Sequence, residues 1–129
     1  GKEHFFLFGL TTEEVFQHKT KGYQPSNYVE NNTELKEVLE MIQSGRFSEG
    51  NPGSFNAITD SLLQHDPYLV LADFAAYVTC QETVSATFSN QEEWTRKSIL
   101  NTAGMGYFSS DRSIREYCEK VWKVPVTSK

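Results

Sequence analysis

One stretch of this chain has the pattern of a buried strand, and everything after it has helical period; this imbalance limits its folds more than any other feature. "HFFLFG", His4 to Gly9, is a continuous apolar run closed by a glycine, as in strands covered on both faces. Strand amides and carbonyls need a ladder, and an open apolar edge invites pairing with another chain. The run is therefore expected to be the last strand of a parallel sheet, over 1–9, with its neighbours upstream, followed by a helical region over 10–129. The expected class is mainly α for the isolated chain, with one N-terminal strand and about six helices in a single partial domain over 1–129.

The helical segments announce their own ends. Thr11 and Glu14 stand at capping-box spacing, so a helix is expected from about Thr12 to Lys21, stopping at Gly22. "NNTELKEVLEMIQSG" carries Leu35, Val38, Leu39 and Ile42 on one helical stripe, with Gly45 placed for a left-handed cap. Phe55, Ile58 and Leu62 mark a shorter helix broken by Pro67. "YLVLADF" reads as extended up to Asp73, which is expected to cap a helix with Phe74, Tyr77, Val78 and Val84 facing inward. Asn90 opens a helix holding Trp94 and ending at Gly104 or Gly106. Ile114, Tyr117, Cys118, Val121 and Trp122 form a core-facing stripe on the last one. "SEGNPGS", Ser48 to Ser54, is a loop, not a domain linker.

Composition narrows the function classes. The 129 residues are enough for one core without crosslinks. A net charge of −5 argues against nucleic acid as a partner, since tracking phosphates needs clustered Lys and Arg. No apolar run approaches the roughly 20 residues of a membrane span, and the reading is a cytoplasmic protein without a membrane partner. Cys80 and Cys118 have no CxxC spacing and are read as reduced thiols. His4, His18 and His65 are scattered without a ligand at metal-site spacing, so no metal residue is assigned. His65 and Asp66 precede Pro67 and are read as a turn.

"GYFSSDRSIREYCEKVW", Gly106 to Trp122, is the one stretch that suggests an anion cradle. Ser109 or Ser110 is better read as a helix cap, with Asp111 in the first turn, where its charge suits the helix dipole and would repel a bound phosphate. Arg112 is expected to pair with an acidic side chain or a backbone carbonyl. Trp94 and Trp122 fall at helix-periodic positions and are read as core, not as sugar platforms. Glu13 with Glu14, and Glu92 with Glu93, are sequence neighbours whose side chains point different ways on a helix; with Asp66 and Asp73 they resemble glycosidase carboxylates by composition only.

Five segments in order, "FFLFGLTTEEV", "GYQPSNYVE", "DPYLVLADFAAYVTCQETV", "EEWTRKSILNTA" and "FSSDRSIREYCEKVW", resemble the carboxy-terminal end of the glycogen, starch and maltodextrin phosphorylases. "ADFAAYV" is most similar to the bacterial members, and "GKEHFFLFG" resembles continuous family sequence, as in a fragment. The resemblance implies a GT-B-type parent enzyme with Rossmann-like halves, which uses phosphate to release glucose 1-phosphate from α-1,4-glucans. It implies pyridoxal phosphate held on a lysine upstream of Gly1, with the substrate-phosphate ligands also upstream. No catalytic, cofactor-binding or metal residue is carried onto this chain, none of its lysines is assigned to the cofactor, and no cofactor is expected on the fragment itself. The implied partners are the remainder of the phosphorylase chain, α-1,4-glucan and phosphate, within a homodimer. An architectural segment without activity of its own is the favoured reading; a freestanding helical interaction module is the alternative.

Overall fold

A computed structural model describes residues 2–125. These gather into two compact units, one formed by Leu7–Thr83 and the other by the residues up to Phe6 together with those from Val84 onward.

The first unit holds α1 (Thr12–Lys21), α2 (Pro25–Glu30), α3 (Thr33–Gln43), α4 (Asn56–Gln64) and the start of α5 (Val70–Ser89). Helix α1 has the full capping box: the Thr11 hydroxyl accepts the Glu14 amide, and the Glu14 carboxylate accepts the Thr11 amide at 2.8 Å. Gly22, at φ +85°, ends it as the sequence predicts. Pro25, fixed near helical φ, opens the short α2, which the periodicity alone did not reveal. Asn32 caps α3 by accepting the Leu35 amide at 3.0 Å. Leu35 and Leu39 of α3 and Leu71 of α5 form the core, with Tyr28, Val29, Leu62, Leu63 and Phe74 packed around them. Burying each such leucine contributes roughly 1.5–3 kcal/mol. Two side chains of the predicted α3 stripe lie nearer its edge, with Val38 exposed and Ile42 half-buried.

Helix α5 begins earlier than predicted. "YLVLADF" is not extended: the Asp66 carboxylate accepts the Val70 amide at 2.8 Å and the Leu71 amide at 2.9 Å, so the helix is nucleated there. Asp73, predicted as the cap, lies inside the helix and accepts the Leu10 amide at 2.8 Å. Tyr77, predicted inward, is exposed.

The predicted strand over 1–9 is not present. Lys2–His4 form a 3₁₀ turn, and the next residues are irregular, with no ladder among the described residues. The physical reason is that every other regular element among the described residues is helical, so none offers a strand backbone to pair with the run. Its side chains meet helices instead. Phe8 sets its ring edge against Tyr77 of α5, with centroids 5.2 Å apart, while Phe5, Leu7 and Phe8 remain substantially exposed. The mainly α class thus fits, and its one expected strand is corrected: the elements among the described residues are all helical.

In the second unit Phe6 stacks near Trp94 of α6 (Gln91–Gly104), and Phe88 meets the same indole edge-on at 5.0 Å. Lys97 donates to the Glu3 carbonyl and lies 5.5 Å above the Phe6 ring. A 3₁₀ turn, Met105–Phe108, leads to α7 (Ser110–Glu116), which continues as a π-helical turn over Tyr117–Trp122. The stripe predicted to face a core here does not: Ile114, Tyr117, Val121 and Trp122 are all exposed, and Trp122 stacks on Tyr117 at 5.6 Å.

Candidate functional site

The first unit carries a cleft of about 460 Å³ between the end of α1, the start of α2 and the first turns of α5. Its formation follows from local chemistry. Gly22 turns the chain out of α1, and Pro25 starts α2 within a few residues, so Tyr23 and Tyr28 are brought onto one side with His18. Leu71, Ala72 and Ala75 of α5 supply a floor of small and apolar side chains.

The aromatic groups are held in place. The Tyr23 hydroxyl donates to Asp66 Oδ2 at 2.6 Å, and the Tyr28 hydroxyl shares a hydrogen bond with His18 Nδ1 at 3.2 Å. The tyrosine ring centroids are 5.4 Å apart, and His18 lies 6.3 Å from each. Asp66 is buried and makes no ion pair among the described residues; it is balanced by the two helix amides and the phenol. Burial, then the hydrogen bond to Asp66 and its negative charge, push the Tyr23 phenol well above the usual tyrosine range, so it remains a donor. The sequence marked Asp66 only as part of a turn. Its signal was "HDP" before a helix, but nothing local to that tripeptide shows that a tyrosine 43 positions away closes over it.

The polar rim is differently arranged. The side-chain amides of Gln24 and Asn27 and the Lys21 ammonium line the cleft, and none makes a hydrogen bond or ion pair among the described residues. Asn31 and Asn32 also line it, but the amide of the first donates to the Asn27 carbonyl and the oxygen of the second caps α3.

The suspected anion cradle is a helix cap. Ser109 adopts extended backbone and its hydroxyl accepts the Arg112 amide; Ser110 is already helical. Arg112 is turned to its own surroundings: Nε donates to the Tyr107 carbonyl, the guanidinium lies 4.0 Å from the Tyr107 ring centre, and Nη1 pairs with Glu116 at 2.7 Å. That pairing holds the Glu116 carboxyl below the usual carboxylate range. His4 pairs with Glu3, His65 is exposed just beyond α4, and Cys80 and Cys118 are half-buried free thiols. Among the described residues no group of three His, Cys, Asp or Glu side chains is placed to hold a metal. No helix among them is long and apolar enough to cross a membrane.

Lys97 is engaged with Glu3 and Glu93, Lys120 with Glu116, and Lys19, Lys21, Lys36 and Lys123 are exposed.

Comparison with known proteins agrees with the resemblance of the five segments. The carbohydrate phosphorylase family model matches residues 1–124. A glycogen phosphorylase of Synechocystis sp. is 55% identical over 124 residues, covering 96% of this chain and 15% of that protein. The glycogen phosphorylase of Chlamydia trachomatis is 45% identical over 125 residues and the human muscle form 43% over 124, each with the same coverage of both chains. The chain thus spans about a seventh of the length of the curated relatives it matches, 15% in each of these three. With a family match reaching from residue 1 to residue 124 and three relatives above 40% identity, the chain belongs to the carbohydrate phosphorylase family.

Proposed function

We propose that these residues are a supporting segment of an α-1,4-glucan phosphorylase, an enzyme that uses phosphate to release glucose 1-phosphate from glucan chains, and that they have no activity alone. The observation that carries this reading is the asymmetry of coverage: 96% of this chain aligns with glycogen phosphorylases, and it accounts for 15% of their length. In this reading the parent protein's pyridoxal phosphate and its phosphate-binding groups come from residues beyond these 129, as does the homodimer contact, and the parent works in the cytoplasm. The segment forms part of the parent's carboxy-terminal domain and its partner is the rest of that chain. Exposed Ile99 on α6, Phe108 in the 3₁₀ turn, Ile114 on α7 and Val121 and Trp122 in its π-helical continuation support this, since recurring exposed apolar side chains suit packing against further protein.

The chemistry assigned here to the segment is support for an active site built elsewhere. Phosphorolysis needs concentrated cationic or amide donors around the attacking phosphate and a proton donor at the glycosidic oxygen. Borohydride trapping of the parent protein, followed by peptide mapping, tests the assignment. The reduced pyridoxyl group is expected on a peptide outside residues 1–129. A stoichiometric label on any lysine of this chain would overturn it.

A further inference from the structure

We propose that a groove lined by Phe8, Val70, Asp73, Phe74 and Tyr77 receives the guanidinium of an arginine from the part of the parent phosphorylase outside these 129 residues. The proposal rests on the reading of the chain as a segment of a larger enzyme for where that arginine resides, and on the groove itself for its chemistry. All five side chains belong to the unit Leu7–Thr83, and the space they line is about 450 Å³.

The walls are aromatic and aliphatic, with a single charge among them. Phe8, Val70 and Tyr77 are substantially exposed, and the Phe8 and Tyr77 rings meet at 65° with centroids 5.2 Å apart, so the groove has ring walls in two orientations. Asp73, half-buried in the first turn of α5, supplies the charge. Its Oδ1 accepts the Leu10 amide at 2.8 Å, while Oδ2 makes no hydrogen bond or ion pair among the described residues. No Lys, Arg or His among them lines the groove.

These features select one kind of occupant. An aliphatic side chain would cover Oδ2 without giving it a donor, and a carboxylate would be repelled by it. A cation satisfies the oxygen, and the negative faces of the Phe and Tyr rings attract it as well. Of the two basic side chains, arginine is the better match: guanidinium is planar and weakly hydrated, stacks on rings and donates in a fork, whereas ammonium is a compact, strongly hydrated point charge. Its methylene stem gains apolar surface to lie along at Val70 and Phe74. Charge balance points the same way, since 17 acidic against 12 basic residues in this chain complement a basic partner surface.

The test applies phenylglyoxal, which modifies accessible guanidinium groups, to the folded parent phosphorylase and to its Asp73→Asn variant, and locates the labelled arginines by peptide mapping. Asparagine keeps an oxygen for the Leu10 amide and removes the charge, so the local fold is expected to persist. One arginine outside residues 1–129 is expected to be protected in the wild type and to react about tenfold faster in the variant, as for loss of one charge-assisted hydrogen bond. Tyr77→Leu, which keeps the carboxylate and removes a ring, is expected to expose the same arginine to a lesser degree. Equal labelling of the three proteins, or a rise shared by arginines across the whole parent, would overturn the site. A lysine that becomes reactive to acetic anhydride in both variants, with no arginine changed, would overturn the assignment to guanidinium. An arginine within residues 1–129 would overturn its placement in the rest of the parent. A preparation that lacks phosphorolysis yet shows the Asp73-dependent arginine outside these residues would refute the proposed function and leave the occupant of the groove standing.

Discussion

Asp66 shows how much one residue settles. Its carboxylate starts α5, anchors Tyr23 and so shapes one wall of the cleft, while lying almost wholly out of solvent. Replacing Tyr23 by Phe leaves that carboxylate short of a donor, and a loss of about 1–3 kcal/mol is expected in urea unfolding. The pH dependence carries a signature. The folded-state phenol titrates above its unfolded value of about 10, so both states hold the proton below pH ~10 and the stabilisation is fully present there. As pH rises past that value the unfolded chain releases the proton first, and stability falls. Tyr23→Phe is expected to flatten this alkaline decline; an unchanged slope from pH 9 to 11 would show that other groups cause it.

At the scale of elements, boundaries depend on residues that do not themselves pack. Gly9 sits at φ +88°, and a Cβ built there would lie 2.8 Å from Asp73 Oδ2, the carboxylate that receives the Leu10 amide. Gly9→Ala is expected to destabilise the first unit by more than ~1 kcal/mol, from left-handed backbone and a displaced carboxylate together. A thermal melt unaltered by the substitution would contradict this. Ser109 and Ser110 divide more sharply than the sequence allowed. Only Ser109 caps α7, through a bond of 3.5 Å to the Arg112 amide, so Ser109→Ala is expected to cost about 0.5 kcal/mol, the low end for a lost cap. Ser110→Ala is expected to cost nothing measurable, and neither change to alter any response to phosphate.

Among the described residues, the buried side chains, Pro25, Leu35, Leu39, Thr59, Asp66, Leu69 and Leu71, all fall within Leu7–Thr83. For the isolated chain, hydrogen exchange is expected to find the most protected amides in α3 and the first turns of α5, and the least in α7, because local opening there uncovers little buried apolar surface. Equal protection of α3 and α7 would overturn this division. The sequence by itself determined most helix ends and the family. Thr11 with Glu14, Gly22, Asn32 and Asn90 act within a turn of their own positions, and capping chemistry of that range is written in the order of residues. Tertiary structure alone decided what each apolar run would touch. "HFFLFG" has the periodicity of a strand, but a strand exists only with a partner backbone; here its rings meet helices. The α7 stripe has core periodicity, and periodicity reports that side chains share a face without reporting what covers it. The cleft was equally hidden, because it joins α1, α2 and α5 through contacts such as Tyr23 to Asp66, and no local pattern encodes a meeting 43 residues apart.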